Sequence, residues 1–388
     1  MTRGKVDYIL AIAATFLLLT GLIMVFSASS MVANTNFGSL TYFFRKQILW
    51  GLLAFLMMLV FSKINYHKLK DNYKPLILVL LAILLLAGLF LFGIRVNGAK
   101  RWYHLGLMNF QPSELARLAL IIYFAQALSS AKKDLTKFKE GILPLFAILS
   151  IVLVLIMLQP DLSTALMIGL TTLAMLFVSN VKLRHLAFLI SAAVPFVVYK
   201  LFNSYQWKRI ADWINAWEDP LAASYQVKQS LIGLGRGGYW GEGLAQGKQK
   251  FLFLPDSHTD FIFAIIGEEF GFIGTSLILL IFLIILLRGL KVVRNTSDAF
   301  GKFLAFGITI NIVFYAFINA GVVSMLLPAT GLPMPFISYG GSNLLFLGIS
   351  MGILLSISRN MTAHEQSANW SDFKSRREQL YNRVITMD

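Results

Sequence analysis

Apolar runs of about 20 residues recur along most of the chain, and they limit its possible folds more than any other feature. The first run extends from Tyr8 to Phe26, and others follow at short intervals up to about residue 358. A helix needs about 17–25 apolar residues to cross a bilayer. Because 57% of the chain is hydrophobic and only 14% is charged, whereas a soluble protein has about 25% charged residues, the sequence predicts a polytopic membrane protein.

Ten transmembrane helices are predicted, which makes the fold class all-α. Their approximate ranges are 8–27, 44–62, 75–93, 113–129, 142–158, 162–179, 185–202, 260–287, 303–327 and 339–358. The first run is longer than the core of a signal peptide and has no clear cleavage site, so we interpret it as a retained helix. Residues 1–360 then form one transmembrane domain, and the polar segment 361–388 forms a tail.

Basic residues collect in alternate loops and predict the orientation of the chain. They are Lys63, Lys68, Lys70, Lys74, Lys132, Lys133, Lys137, Lys139, Lys182, Arg184, Arg288, Lys291, Arg294 and Lys302. The short loops 158–162 and 328–338 have none. The positive-inside rule therefore places the basic loops, both termini and the tail in the cytoplasm. This asymmetry accounts for the formal net charge of +15, so the charge does not indicate nucleic-acid binding. The chain has no cysteine, which excludes disulfides and cysteine-based metal or thiol chemistry.

The segment from about 203 to 259, here named the long loop, is then on the outer side. Residues 207–217 place four apolar side chains on one helical face, namely Trp207, Ile210, Ile214 and Trp217. This stripe predicts an interfacial helix, which serves either as a membrane anchor or as a platform for a lipid substrate. Seven glycines lie between Gly233 and Gly247, and the stretch from Gly233 to Gly238 superficially resembles a phosphate-binding loop. Because no strand precedes them and no helix follows in a βαβ unit, we expect them to form tight turns instead.

Ionisable residues lie at the outer ends of three predicted helices, where they are costly unless they line a cavity or pathway. Glu114 and Arg117 are three residues apart and share a face, a spacing that a capped helix with a local ion pair also explains. Asp161 opens the sixth helix from a short apolar loop. Asp260 opens the eighth helix, and capping explains this residue but not the two adjacent glutamates that begin at Glu268.

Positive charge accumulates on the same side of the predicted bundle. Arg45 and Lys46 precede the second helix, and Arg101 precedes the fourth. The even-numbered helices also point their N-termini outward, where helix dipoles favour an anion such as a pyrophosphate. Every even-numbered helix must have this orientation, so the dipoles support an anion site without identifying one.

Several of the ionisable residues, among them Arg101, Glu114, Asp161 and Asp260, lie in motifs that resemble the SEDS family (shape, elongation, division and sporulation). These are bacterial membrane proteins that polymerise peptidoglycan glycan strands. The resemblance covers about residues 6–360 and rests on Phe26-Ser27-Ala28-Ser29, Arg101-Trp102, Phe110-Gln111-Pro112-Ser113-Glu114-Leu115, Gln159-Pro160-Asp161-Leu162-Ser163, Phe253-Leu254-Pro255, His258-Thr259-Asp260-Phe261-Ile262-Phe263, Thr330-Gly331-Leu332-Pro333 and Pro335-Phe336-Ile337-Ser338-Tyr339-Gly340-Gly341-Ser342. Gln249-Lys250 is more similar to the division (FtsW) and sporulation (SpoVE) branches than to the elongation (RodA) branch. Asp256 and Arg117 stand where many relatives have Glu and Lys, which preserves the charge.

The resemblance implies an enzyme, a peptidoglycan glycosyltransferase of the bacterial cytoplasmic membrane. Its substrate would be lipid II, a disaccharide-pentapeptide carried on undecaprenyl pyrophosphate in the outer leaflet. A sugar hydroxyl would attack the anomeric carbon of the growing chain, with a general base at the hydroxyl and positive charge at the departing pyrophosphate. The implied partners are a class B penicillin-binding protein, which is the transpeptidase that crosslinks the strands, and the division machinery.

The resemblance also implies roles for single residues, with Asp260 as the general base. The implied substrate-binding residues are Arg45, Arg101, Glu114, Arg117, Asp161, His258 and Glu268. The three arginines would hold the pyrophosphate or its lipid head. Glu114 and Asp161 would position substrate groups or a divalent cation, Mg²⁺ or Mn²⁺, and no other cofactor is expected. Helix packing explains Glu268 and Glu269 about as well.

A lipid II flippase and a non-catalytic scaffold for the transpeptidase are the alternative functions. A flippase needs charged groups near mid-membrane and access from both sides. The motif residues instead cluster at the outer ends of the helices, which favours chemistry on a substrate that has already crossed. A non-catalytic scaffold would not explain the presence of an aspartate at position 260.

Overall fold

The computed structural model describes residues 5–71, 73–96, 98–106, 109–130, 137–202, 205–219 and 223–359. These residues form twelve α-helices: α1 (Tyr8–Phe37), α2 (Tyr42–Lys63), α3 (Lys74–Phe92), α4 (Pro112–Leu128), α5 (Leu143–Leu158), α6 (Leu162–Phe177), α7 (Leu183–Phe202), α8 (Tyr205–Glu218), α9 (Tyr225–Gly237), α10 (Ile262–Asn295), α11 (Ala299–Val323) and α12 (Gly341–Arg359). A 3₁₀ turn (Tyr66–Leu69) follows α2, and a π turn (Phe138–Ile142) precedes α5. The predicted tail, 361–388, lies outside the described residues.

Ten of these helices, α1–α7 and α10–α12, correspond to the predicted spans. Seven of the described helices are long and apolar enough to cross a membrane, and α6 is a shorter apolar helix. The prediction of an all-α polytopic membrane protein is thus confirmed. α1 is ten residues longer than predicted because it ends only at Gly38, which adopts a left-handed conformation (φ 65°). α10 also continues beyond its predicted end, where Arg288 pairs with Asp7, the N-cap of α1.

A small antiparallel sheet between α3 and α4 was not predicted. Its strands, in spatial order, are β1 (Ile94–Val96), β2 (Ala99–His104) and β3 (Asn109–Phe110). Tyr103 lies opposite Phe110 in the register. The Tyr103 hydroxyl donates a hydrogen bond to the carbonyl oxygen of Leu85 in α3 at 2.7 Å. The sheet is therefore attached to the helix bundle, and it carries Arg101 on its central strand.

α4 lies at the centre of the bundle, packed against α3, α5, α6 and α11. Almost all of its side chains are buried, including the charged Glu114 and Arg117. α11 packs against α10 and α6 as well as α4. Glu114 and Arg117 consequently lie in the interior of the protein, where they need partners.

The long loop contains two helices, α8 and α9. α8 matches the predicted interfacial helix, and it exposes three residues of the predicted stripe, Trp207, Ile214 and Trp217. Its other side packs on the segment after α11: Trp213 Nε1 donates to the carbonyl of Met325 at 2.9 Å, and Arg209 Nη1 donates to the carbonyl of Ala329 at 3.2 Å. α8 is thus attached to the bundle along one face and has an apolar stripe on the other.

The expectation that the glycines of the long loop form tight turns is only partly correct. Three of them lie within α9, namely Gly233, Gly235 and Gly237. A Cβ on Gly237 would lie 1.9 Å from the carbonyl oxygen of Gly267, so this glycine lets the backbones of α9 and α10 touch. The turns follow α9 at three glycines with positive φ, Gly238, Gly241 and Gly243.

α10 is broken at Gly271, where φ is 66° and ψ is −163°. Four backbone hydrogen bonds join the break to the long loop: Phe272 N–H to Gly238 carbonyl (2.8 Å), Ile273 N–H to Tyr239 carbonyl (3.2 Å), Glu242 N–H to Glu268 carbonyl (2.9 Å) and Gly243 N–H to Glu269 carbonyl (3.0 Å). The loop therefore satisfies backbone groups on both sides of the break, which would otherwise be unpaired inside the protein. It is attached in this way to the first part of α10, residues 262–270.

Candidate active site

The N-terminal ends of α2, α4, α6 and α12 converge on a cavity of about 1190 Å³. Further walls come from β2, from α8, from the residues just before α10 and from the segment between α11 and α12. The cavity is slightly larger than the usual range for ligand pockets, about 300–1,000 Å³. Four of the predicted site residues line it, namely Arg101, Glu114, Asp161 and Asp260.

Asp260 reaches the cavity from the turn before α10, and its backbone is fixed by α11. Asn319 Nδ2 donates to the carbonyl of Asp260 and to that of Leu332, both at 2.7 Å. The carboxylate lies beside Gly331, where an added Cβ would be 3.3 Å from Oδ2. Gly331 has a φ of 73°, so both its backbone conformation and the limited space favour glycine beside this carboxylate.

Burial, together with the neighbouring carboxylate of Asp256, raises the pKa of Asp260 to about 7. Arg209 lowers the pKa, while Asp161 and Arg101 have smaller and opposing effects. Near neutral pH the carboxylate is therefore divided between its protonated and ionised forms. A general base is most effective when its pKa lies near the working pH, and a strongly shifted carboxylate in a cavity is a candidate for that role.

Arg101 and Asp161 form one side of the cavity. Arg101 Nε donates to the carbonyl of Gln159 at 3.2 Å, and its Nη2 donates to the carbonyl of Pro160. Asp161 caps α6 by accepting a hydrogen bond from the N–H of Thr164 at 3.3 Å. Its Oδ2 lies 3.9 Å from Arg101 Nε, and the Arg101 side chain is 29% exposed. Backbone carbonyls thus hold Arg101 in place while part of its guanidinium faces the cavity.

Glu114 and Arg117 form the ion pair that their spacing predicts. Arg117 Nη2 donates to Glu114 Oε2 and to Asn343 Oδ1, the latter at 3.3 Å. The guanidinium also lies over the ring of Tyr315, 4.4 Å from its centroid. Glu114 lines the cavity, whereas Arg117 lies behind it. Arg117 therefore acts on the cavity mainly by orienting the Glu114 carboxylate.

Arg45 and His258 do not line the cavity. The side chain of Arg45 is exposed elsewhere. The His258 ring packs between Phe43 and Tyr339, with centroid distances of 4.6 and 5.7 Å. Burial lowers the pKa of His258 to about 4, against the opposite effect of Asp256. The imidazole is thus neutral near pH 7 and acts here as a packed ring that supports the Asp260 segment.

Glu268, also predicted to bind substrate, is fully buried away from the cavity. Its carboxylate accepts hydrogen bonds from the backbone N–H groups of Lys248 and Gln249, at 2.8 and 3.0 Å. The adjacent Glu269 pairs with Lys250. This arrangement corresponds to the packing alternative for the two glutamates, because both carboxylates are occupied by the long loop.

Two basic residues of the cavity are missing from the predicted site. Lys46 lines the cavity from α2, and its Nζ donates to the Tyr42 hydroxyl at 2.7 Å. Tyr42, Lys46 and Trp50 all line the cavity and follow one another at four-residue intervals, a helical spacing that would have favoured Lys46 over Arg45. Arg209 comes from α8, and nothing in the sequence places that helix beside Asp260.

The donor set does not fit a divalent cation. Within the described ranges, no group of three or more His, Cys, Asp or Glu side chains could hold a metal ion. Glu114 is occupied by Arg117, and Asp161 by Thr164 and by the nearby Arg101. The charged groups of the cavity are therefore the protein's own side chains.

The membrane helices form a bundle that encloses a polar cavity. The walls of this cavity contain a carboxylate of raised pKa and several basic groups. Together these features define a class of polytopic membrane protein suited to an anionic ligand. The family model for FtsW, RodA and SpoVE, described as cell cycle protein, matches residues 8–363. The chain belongs to this family, which confirms the resemblance to SEDS proteins seen in the motifs.

Individual relatives agree over most of the chain. The probable peptidoglycan glycosyltransferase FtsW of Geobacter metallireducens is 39% identical, over 92% of this chain and 96% of its own length. Stage V sporulation protein E of Bacillus subtilis is also 39% identical, over 92% of this chain and 99% of its own length.

Solved structures have the same fold. A chain from a peptidoglycan synthase complex, described for its structural coordination of polymerization and crosslinking, has a TM-score of 0.73 and 25% identity, covering 92% of this chain and 98% of that one. The rod shape determining protein RodA of Thermus thermophilus has a TM-score of 0.67 and 24% identity, with 92% and 97% covered.

Proposed function

We propose that this protein is a peptidoglycan glycosyltransferase that polymerises lipid II at the outer face of the bacterial cytoplasmic membrane. One observation carries the proposal: Asp260, with a pKa near 7, lies in the wall of a large polar cavity that is also lined by Lys46, Arg101 and Arg209. Family membership and the activity named for the FtsW relatives support it.

In the proposed reaction, a sugar hydroxyl of lipid II attacks the anomeric carbon of the growing glycan. Asp260 accepts the hydroxyl proton as the new carbon–oxygen bond forms, and it later releases that proton to water through the open cavity. The bond between the anomeric carbon and the phosphate oxygen breaks, and undecaprenyl pyrophosphate leaves. Cationic side chains already fixed in the cavity wall stabilise the charge that develops on this leaving group.

The basic side chains divide these roles by position. Arg101 is held by two backbone carbonyls, and Lys46 by the Tyr42 hydroxyl, so both present charge without large rearrangement. We assign the pyrophosphate to these two residues. Glu114 and Asp161 face the same space and are suited to accept hydrogen bonds from sugar hydroxyls.

The proposed orientation places the cavity outside and both termini in the cytoplasm. Lys46 and the cavity lie at the N-terminal end of α2, whereas Lys63, Lys68 and Lys70 lie at or beyond its C-terminal end. The lysine-rich loop is thus at the end of the bundle opposite the cavity, as the positive-inside rule requires for an outward-facing site.

The proposed partner is a class B penicillin-binding protein, which would crosslink the new strands. Similarity to a chain of a peptidoglycan synthase complex that coordinates polymerization and crosslinking supports this partner. The FtsW and SpoVE relatives support a place in division or sporulation.

Reconstitution in liposomes with lipid II and the transpeptidase partner tests the proposal. We expect the wild type to form glycan strands and Asp260→Ala to form none. Asp71→Ala, which removes an exposed carboxylate in the loop after α2, is the matched control and should retain activity. Polymerisation by Asp260→Ala at the wild-type rate would refute the role of the base. If no variant polymerises but lipid II crosses the liposome membrane, the protein is a flippase instead.

A further inference from the structure

A buried charged cluster outside the cavity joins the long loop to two helices. Lys250 Nζ lies 2.7 Å from Glu269 Oε1 and donates to Ser27 Oγ at 3.1 Å. The Ser27 hydroxyl in turn donates to Glu269 Oε1 at 2.6 Å. The side chains of Lys250 and Glu269 are only 4% and 0% exposed. Because desolvation makes a buried ion pair a poor source of stability, its presence here suggests a role in specifying one arrangement of the chain.

This ion pair joins the two ends of the segment from Lys250 to Glu269, so that this segment forms a closed ring, here named the ring. Between Lys250 and Glu269 the chain runs through the end of the long loop, then Asp260, then the first part of α10. Asp260 lies midway, ten residues after Lys250 and nine before Glu269. The ring is reinforced beside the ion pair, where Glu268 accepts hydrogen bonds from the N–H groups of residues 248 and 249.

The loop half of the ring has no helix or strand to hold its shape. From residue 249 to 260 it consists of turns. It is fixed instead by single hydrogen bonds to its surroundings: Ser257 Oγ to Ala28 carbonyl (3.1 Å), Tyr339 N–H to His258 carbonyl (2.9 Å), Ser338 Oγ to Thr259 carbonyl (2.6 Å) and Asn319 Nδ2 to Asp260 carbonyl (2.7 Å). A segment of this kind depends on how its ends are held, because closing a flexible loop restricts the conformations open to it.

The other half of the ring ends next to the break in α10. The helix breaks at Gly271, two residues after Glu269. Residues 262–270 are therefore not held in line by continuous helical hydrogen bonds to the rest of α10. Their orientation depends on the loop contacts around Glu268 and Glu269.

We propose that Lys250 and Glu269, together with Ser27, are positioning residues for the Asp260 carboxylate, because their buried cluster closes the ring that carries it. They do not line the cavity and touch no reacting atom. The inference rests on the proposed function, since it takes Asp260 as the base. A displacement of about 1 Å in a reacting group can lower a rate about 100-fold, so small changes in the ring should be measurable.

Steady-state kinetics of the full-length protein with its transpeptidase partner and lipid II provide the first test. For Lys250→Met we expect kcat to fall about 100-fold while KM stays within about twofold. Lys248→Met removes an exposed lysine two residues earlier and should leave both constants unchanged. Glu269→Gln is the corresponding variant on the acidic side of the pair. Glu242→Gln is its control, because Glu242 is exposed. The double variant Lys250→Glu with Glu269→Lys restores the pair in reverse and should recover at least about tenfold in kcat over either single change.

The pH dependence separates positioning from loss of folded protein. If the ring relaxes, the spacing between Asp260 and its charged neighbours Asp256, Arg209, Asp161 and Arg101 changes, and the midpoint of the pH–rate profile moves. If Lys250→Met only reduces the amount of folded enzyme, the rate falls by the same factor at every pH. An unmoved midpoint, together with no recovery in the double variant, would overturn the proposal.

A measurement without catalysis distinguishes failure of this inference from failure of the proposed function. The chain has no cysteine, so Ser257→Cys introduces a single thiol at a position that is 1% exposed. We expect slow maleimide labelling in this variant and at least about tenfold faster labelling when Lys250→Met is added, but not when Lys248→Met is added. Faster labelling in an enzyme that polymerises no lipid II would support the ring and reject the glycosyltransferase. Equal labelling in an active enzyme would reject the ring alone.

Discussion

The rate of glycan polymerisation should depend on pH around neutrality, because Asp260 must lose its proton before it can act as a base. Burial and the Asp256 carboxylate raise its pKa to about 7. The ionised fraction is then about one tenth at pH 6 and nine tenths at pH 8. We therefore expect kcat/KM to rise about tenfold over this interval. An aspartate with an ordinary pKa would be ionised throughout and would give a flat profile.

Replacing Asp260 with asparagine keeps the size of the side chain and removes the base. We expect about 10²- to 10⁴-fold lower kcat at pH 8, the usual contribution of a positioned base. At pH 6 the wild type is itself about tenfold below its maximum, so the ratio between wild type and variant should be about tenfold smaller there. Any residual activity of Asp260→Asn should show no rise between pH 6 and 8.

The same variant should affect stability with a defined sign. A raised pKa means that the folded protein binds this proton more tightly than the unfolded chain does. The stabilising contribution of the carboxyl is therefore fully present below its unfolded pKa, near 4, and is lost as the pH rises through about 7. Asp260→Asn should then have a higher Tm than the wild type at pH 8, and the difference should shrink toward pH 5.

Initial rates of lipid II consumption by the purified complex, measured between about pH 5.5 and 8.5, test the kinetic part, and thermal unfolding in the same detergent tests the stability part. Asp71→Asn is the matched control, because this carboxylate is exposed in the loop after α2. A flat wild-type profile between pH 6 and 8 would refute the assignment of a base with a raised pKa. Wild-type activity in Asp260→Asn would refute the base itself.

Three further predictions concern the surroundings of this site. Asp256→Asn removes a carboxylate that raises the pKa of Asp260, so the midpoint of the pH–rate profile should move to lower pH; a move to higher pH would contradict the electrostatic argument. Lys46→Met should raise the KM for lipid II about tenfold by removing one charge-assisted contact, whereas Arg45→Met, outside the cavity, should not, and the reverse result would restore Arg45 to the site. Gly237→Ala should lower stability by about 1–3 kcal/mol through backbone overlap with α10, measured as a lower Tm, and Gly235→Ala, with open space around its Cβ, should have no such effect.

Local sequence patterns were sufficient to predict the contacts and caps that form within a single helix. The Glu114–Arg117 pair follows from a three-residue spacing on α4, and Asp161 is the expected cap of α6. The choice between Arg45 and Lys46 was also within reach, because the four-residue interval from Tyr42 to Lys46 marks one helical face. The motifs then identified the family, but motif matching alone could not show which of its polar residues share a cavity.

The part of the site that sequence reasoning missed depends on contacts between distant segments. Arg209 acts on Asp260 only because α8 packs on the segment after α11, more than a hundred residues further along the chain. Glu268 was predicted to bind substrate, with helix packing as an equal alternative for Glu268 and Glu269, because the sequence does not show what pairs with them. Their partners are the backbone of residues 248–249 and the side chain of Lys250.

By itself the sequence determined that this is an all-α polytopic membrane protein with acids and bases at the ends of its helices, because bilayer thickness and the cost of burying charge act on each helix separately. The tertiary structure alone decided which charges face the cavity and which hold the chain in shape. Those outcomes depend on the break at Gly271 and on the buried pairing of Lys250 with Glu269 and Ser27, which form only when the long loop folds back onto α10 and α1.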